Sequence, residues 1–307
     1  MKIRLIHPFS LWCAGVCLLL TTCAYAGNVT PVEVVPVVAL QPASTQTEIL
    51  NDLAAADIIY LGEIHDRPED RQGQLEILAA LYRDNPKMAI GLEMFQRPFQ
   101  GVLDDYLAGN ITEAELVERS EYDRRWGFPW ESYAPLLRFA KEHQLPVLAL
   151  NVPSEVTRQV AREGLESLTA EEREYIPPFS EIRTDNADYR QMVQEVYEAH
   201  ASAGHGNSTG FDRFFTAQVL WDETMAESIA QFHQANPDTR IVAIAGRGHV
   251  IYGYGIPSRV TRRIGDDIVQ RSVLFGEIDG EEFLKSPPIA DYLWQDSPDG
   301  EPNDGSS

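Results

Sequence analysis

The stretch Ile58-Ile59-Tyr60-Leu61-Gly62-Glu63-Ile64-His65-Asp66 decides how the chain folds. Four apolar residues in a row, too few for a helix, describe a strand covered on both faces, and Gly62 lets the backbone turn sharply into a polar cluster. Four more runs share this character: Met88–Leu92, Pro146–Leu150, Ile241–Ala245 and Ser272–Phe275. Between the runs the apolar spacing becomes helical, as in Gln74–Arg83 with Leu75, Leu78 and Tyr82, and in Pro135–His143 with Leu136, Phe139 and Ala140. Alternating strand and helix predicts an α/β fold, a mostly parallel central sheet flanked by helices.

The interval 153–236 is too long for one crossover and holds helical stretches without a convincing strand. It reads as a helical insertion that caps the sheet edge. Asp185 is the expected N-cap for the run Tyr189, Met192, Val193, Val196 and Tyr197, and Phe211 opens a second run. Within the second run Gln218, Asp222 and Met225 share one helix face, with Glu223 beside them. His200 and His205 lie on a flexible stretch and read as exposed histidines.

At the N-terminus, Lys2 and Arg4 precede the apolar run Leu11–Leu20, which is short for a membrane span. Residues 1–26 read as a signal peptide cleaved after Ala24-Tyr25-Ala26. Leu20-Thr21-Thr22-Cys23 competes as a lipobox with an unusual Thr before the Cys, in which case Cys23 carries a lipid anchor. Because Cys13, Cys17 and Cys23 all fall there, a chain cleaved after Ala26 contains neither a disulfide nor a thiolate metal site. Residues 27–47 read as a leader or edge strand, 48–285 as the α/β domain, and 295–307 as a disordered acidic tail.

The net charge is −22, and removing residues 1–26 takes away two cations and no acid, giving −24. Such a chain repels phosphates, which argues against a nucleic-acid partner.

Chemistry is expected where the strands end, because ligands of open α/β sheets bind beyond the carboxyl ends of their strands. Glu63 and His65, two apart in extended chain, point to the same side. The plain alternative is that Glu63 caps a helix or pairs with Arg67. Gly91-Leu92-Glu93-Met94-Phe95 repeats the pattern, so two adjacent strands ending in Gly-Glu and Gly-x-Glu predict a converging carboxylate pair suited to a metal, a proton relay or an arginine clamp.

The fourth strand runs into the glycine-rich loop Gly246-Arg247-Gly248-His249-Val250-Ile251-Tyr252-Gly253-Tyr254-Gly255-Ile256-Pro257. It is no dinucleotide fingerprint, since Ile251 stands where the third glycine of G-x-G-x-x-G belongs. Tyr and His both contact haem iron, and Arg forks to carboxylates, so the loop carries side chains suited to a porphyrin with propionates. The alternative is that Tyr252 and Tyr254 merely pack. Arg124-Arg125-Trp126-Gly127-Phe128-Pro129-Trp130 likewise suits a flat apolar ligand with anionic edges, or a loop pinned by aromatic packing.

Leu61–His65, Gly91–Met94, Gln218–Ala226 and Ala245–Pro257 together resemble, in order and spacing, the motif series of the ChaN-type haem-binding lipoproteins. The resemblance covers most of residues 50–265. That family resembles, more distantly, the Tiki proteins and erythromycin esterase, which include hydrolases.

The resemblance implies an exported haem-binding protein of haem and iron uptake or storage, periplasmic or anchored to the outer membrane, with paired haems held between two subunits. Its implied partners are haem, a second copy in a homodimer and an outer-membrane haem receptor. Tyr254 or Tyr252 would be the axial ligand and His249 or His65 its support, with Arg247 and Arg125 as further contacts. Binding is expected rather than catalysis. The rival is a hydrolase in which Glu63, His65, Glu93 and His249 hold a divalent metal that activates water. A third reading makes the strand-end polar groups a structural network closing the sheet.

Overall fold

The computed structural model describes residues 44–200, 210–276 and 287–295. The expected signal peptide, Cys23, His205 and the tail from 296 onward lie outside the described residues, as do the side chain of His200 and the leader up to 43. Strands β1 (Ile58–Glu63), β2 (Met88–Gln96), β3 (Val147–Asn151), β4 (Arg240–Gly246), β5 (Gln270–Phe275) and β6 (Tyr292–Trp294) form one sheet. Their order is β3-β2-β4-β1-β5-β6, and every pairing is parallel. β6 was not expected from the sequence. It lies beyond the 285 boundary, and three residues are too few to carry a period.

Among the described residues six α-helices precede β3: α1 (Gln46–Leu53), α2 (Pro68–Asp84), α3 (Gln100–Leu107), α4 (Glu113–Arg119), α5 (Tyr122–Arg125) and α6 (Trp130–Glu142). They supply one core, in which Leu53, Ile77, Leu78, Leu81 and Leu136 meet Ile59, Leu61, Ile90, Leu92 and Ile244. The opposite sheet face, with Ile58, Tyr60, Ile241, Ala243 and Ala245, is covered by Met225, Ala226, Ile229, Ile256 and Val260. The two-residue alternation along β1 and β4 distributes their side chains to the two cores, which is why both strands read as unbroken apolar runs.

Between β3 and β4 the chain forms α7 (Ser154–Glu163), α8 (Ala187–His200) and α9 (Phe211–Ala235), with no strand among the described residues, and α10 (Ile256–Ile264) joins β4 to β5. The 25-residue α9 reaches past the sheet, so its first half packs on α7 and α8 and its second half on the sheet. Asn186, not Asp185, starts α8: its side-chain oxygen accepts the Tyr189 N–H at 2.9 Å. α6 begins at Trp130, five residues before the expected start, and carries Pro135 inside the helix, where the bond to the Glu131 carbonyl is lost. No helix among the described residues is long and apolar enough to cross a membrane.

Candidate functional site

β4 lies between β1 and β2, with Gly246 level with Glu63 on one side and Ile244 level with Leu92 on the other. The two Glu-bearing strands are therefore not neighbours, contrary to the sequence expectation. The long helical excursion returns the chain between them, and Glu63 and Glu93 flank the end of β4.

Glu63 is buried and accepts from Tyr133 Oη at 2.6 Å, Gln74 Nε2 at 2.7 Å and Arg71 Nη2 at 3.4 Å, and it lies 2.7 Å from His65 Nδ1. It neither caps a helix nor pairs with Arg67, which lies 3.6 Å from Asp70. Arg71 also donates to the Ile64 carbonyl at 3.0 Å and to the carbonyls of His65 and Arg67, while Asp70 accepts the Ile64 N–H at 2.8 Å. The first turns of α2 thus clasp the turn that carries Glu63 and His65.

The His65 ring is half-buried, with Trp126 at 4.8 Å and Phe128 at 5.2 Å. Burial opposes its charging, yet the hydrogen bond to Glu63 and the nearby Glu93 outweigh burial and hold its pKa above the usual histidine value. With Nδ1–H donating to Glu63, Nε2 is left without a hydrogen-bond partner among the described residues. It faces Gly246, where a Cβ would stand 2.9 Å from it and 3.6 Å from Glu93 Oε2.

Glu93 accepts the Gly246 N–H at 2.6 Å and lies 3.5 Å from His249 Nε2. The other His249 nitrogen is 2.7 Å from Asp222 on α9, and Asp222 accepts a 2.5 Å hydrogen bond from Tyr189 on α8. The Gln218 amide lies 3.2 Å from the same His249 nitrogen. Burial alone would discharge His249, but Glu93 and Asp222 override it and push its pKa up to about 10. Burial would likewise raise Glu93, and His249, His65 and the Gly246 amide together hold it below the usual carboxylate value. The result is a buried row, Glu93⁻–His249⁺–Asp222⁻, closed by Tyr189.

An imidazolium with both N–H groups engaged neither ligates a metal nor accepts a proton. Glu63 is similarly saturated by its donors. Glu63, His65, Glu93 and His249 are thus brought to one strand end, but among the described residues no three or more His, Asp or Glu side chains gather as a metal-holding set.

Above this row the loop rises to Tyr252, whose φ of +55° is unusual for a bulky side chain. Its N–H donates to the Ile289 carbonyl at 2.8 Å, and its ring stacks on Tyr254 at 5.4 Å. The half-buried Tyr254 phenol has no hydrogen-bond partner among the described residues. Burial and Asp188 keep its pKa above the usual tyrosine value. Arg247 is exposed and likewise unpaired among the described residues. Arg125 differs: its guanidinium is held by Glu155 at 2.8 and 3.0 Å, Glu121 at 2.7 Å and Gln96 at 2.7 Å. Two open concavities of about 440 and 410 Å³ flank α9 near Gln231 and contain none of these residues.

Sequence reasoning missed Arg71, Gln74, Tyr133 and Tyr189. The signal for Gln74 was present: it occupies a core position of the α2 pattern that continues with Ile77, Leu78 and Leu81, and a polar residue there needs a buried partner. Nothing local marked Tyr189 as more than an apolar position.

The fold and this strand-end cluster define the class, a parallel α/β protein that gathers buried polar side chains at the ends of β1, β2 and β4. The chain belongs to the family described as haem-binding uptake, Tiki superfamily, ChaN, whose model matches residues 49–260. It is 28% identical over 269 residues to the chloroplastic protein RETICULATA-RELATED 5 of Arabidopsis thaliana, covering 79% of this chain and 34% of that protein. The chain therefore spans about a third of the length of that curated relative. Among solved structures it is similar to ChaN of Campylobacter jejuni, described with cofacial haem binding, at 20% identity and a TM-score of 0.61, covering 81% of this chain and 91% of that one.

Proposed function

We propose that the chain binds haem on the loop from Gly246 to Pro257, with Tyr254 as the axial ligand to iron and Arg247 as the contact for a propionate. The observation that carries this reading is the pairing, on one loop, of a half-buried phenol and an exposed guanidinium, both without partners among the described residues. The donor set fits the group. A phenolate is a good ligand for ferric iron, a guanidinium forks to a carboxylate, and His65 offers a free Nε2 fixed in orientation by Glu63. Trp126, whose Nε1 is buried without a partner, and Phe128 add flat apolar surface beside His65. When bound, haem would supply an iron centre for storage or relay.

The residues divide the work. Tyr252 stacks against Tyr254 and limits its rotation, while Glu93, His249 and Asp222 fix the base of the loop. Because Tyr254 is held protonated, iron must displace its proton, so haem affinity should strengthen as pH rises. The role is that of an exported protein of haem-iron uptake or storage, in the periplasm or at the outer membrane. Two copies would hold haem between them and exchange it with an outer-membrane receptor. Support for this wider role comes from the N-terminal leader pattern and from family membership.

Titration with hemin tests the reading. A tyrosinate-type absorption spectrum at one haem per chain is expected, abolished by Tyr254→Phe and kept by Tyr252→Phe, with sedimentation velocity reporting dimer formation on loading. A featureless hemin spectrum would overturn it.

A further inference from the structure

Tyr189 lies on the insertion helix α8, far in sequence from the tyrosine loop, yet it meets that loop by three routes. Its hydroxyl donates to Asp222 Oδ2 at 2.5 Å, and the other oxygen of Asp222 grips His249 at 2.7 Å. Its ring lies 6.4 Å from the Tyr254 ring. The Arg259 guanidinium stands over the same ring, 5.2 Å from its centroid, and donates to the carbonyls of Gly255, at 2.9 Å, and of Tyr254.

Gly255 makes the arrangement unforgiving. A Cβ there would stand 2.2 Å from the His249 carbonyl oxygen and 3.0 Å from Asp222 Oδ1, so the backbone following Tyr254 is pressed against the carboxylate that Tyr189 orients. Tyr189 itself is fully buried, and Phe215 packs edge-on against it at 5.6 Å, leaving the ring one place to stand. A buried hydroxyl donating to a charged group is among the stronger hydrogen bonds, and losing it leaves one carboxylate oxygen unsatisfied.

We infer that Tyr189 is a positioning residue for the ligand loop: its hydroxyl sets Asp222, and its ring and Arg259 set the backbone and ring of Tyr254. The inference rests on the reading of Tyr254 as the haem-iron ligand. It assigns the helical insertion a part in ligand binding, since α8 and α9 fix the phenol that α10 and the sheet alone would leave free to swing.

The test compares wild type, Tyr189→Phe and Tyr254→Phe, each titrated with hemin and followed by absorption spectra. Circular dichroism and thermal melting establish that each variant is folded. Tyr189→Phe keeps the ring and loses only the hydroxyl. The inference expects it to stay folded, to bind hemin about tenfold more weakly, and to shift or weaken the tyrosinate charge-transfer band. A merely structural Tyr189 would lower the melting temperature and leave the band of the bound form unchanged, which overturns the inference while the haem reading stands. A wild-type protein without the band overturns both. Should Tyr189→Phe fail to fold, Asp222→Asn, which keeps the side-chain shape and weakens the same hydrogen bond, serves in its place with the same two outcomes.

Discussion

His249 and Asp222 face each other across 2.7 Å, joining the loop after β4 to the insertion helix α9, and Glu93 stands 3.5 Å away on the other side of the ring. The folded-state pKa of His249 is raised from 6.5 to about 10, so its contribution to stability is fully present below pH 6.5 and is lost as pH rises towards 10. Thermal melting of the wild type should fall steadily across that window. His249→Gln removes the slope and leaves two buried carboxylates facing a neutral amide. It should destabilise the protein at pH 7 by on the order of 3–5 kcal/mol. A variant with wild-type slope would show that some other group titrates there.

The glycines of the same loop should rank by what a methyl group would strike. Gly255→Ala drives Cβ into a backbone carbonyl at 2.2 Å and should cost more than about 3 kcal/mol. Gly246→Ala meets the half-buried His65 ring at 2.9 Å, which turns aside only by disturbing its 2.7 Å bond to Glu63, so about 1–3 kcal/mol is expected. Gly248→Ala meets nothing within 4 Å and should lie within about 0.5 kcal/mol of wild type. Urea denaturation of the three variants checks the order, and an equal cost for Gly255 and Gly248 would contradict the loop geometry.

Much of this site was legible because strand ends announce themselves. Glu63, His65, Glu93 and His249 each follow an apolar run, and the structure brings all four to one end of the sheet. What the sequence hid was order in space. The adjacency of β1 and β2 looked natural for consecutive strands, yet β4 separates them, because strand order depends on where a long excursion returns rather than on any local pattern. Partners hid for the same reason: Tyr133 and Glu63 lie 70 positions apart, and no spacing rule connects a helix tyrosine to a strand-end carboxylate. Asp222 and His249 were each readable in the sequence, the one on a helix face and the other after a strand, but their pairing across 27 positions was not.

Glu63 sets the protonation of His65, and the sign can be measured directly. Burial alone lowers the His65 pKa, and the bond to Glu63 is the largest contribution that raises it. In Glu63→Gln the His65 midpoint, followed by NMR of its ring Cε1–H, should fall. Because Arg71 then loses its buried counter-charge, stability should drop by on the order of 3 kcal/mol. Tyr133→Phe removes one neutral donor and should cost about 1.5–3 kcal/mol. An unmoved midpoint in Glu63→Gln would mean that Glu93 alone governs His65.

The two arginines singled out from the sequence should now part company. Arg247 is exposed and without a partner among the described residues, so Arg247→Gln should leave the melting temperature unchanged and weaken hemin binding about three- to tenfold, with a smaller effect at high salt because the exposed charge is screened. Arg125 is held by Glu155 and Glu121, and those bonds raise its pKa against the opposing effect of burial. Drawing it towards a propionate would require breaking a two-pronged contact at 2.8 and 3.0 Å, so Arg125→Gln should lower the melting temperature by a few degrees and leave hemin affinity unchanged. Isothermal titration of both variants at low and high salt decides between them. The opposite pattern, affinity lost in Arg125→Gln and kept in Arg247→Gln, would move the propionate contact from the tyrosine loop to the Arg124–Trp130 segment.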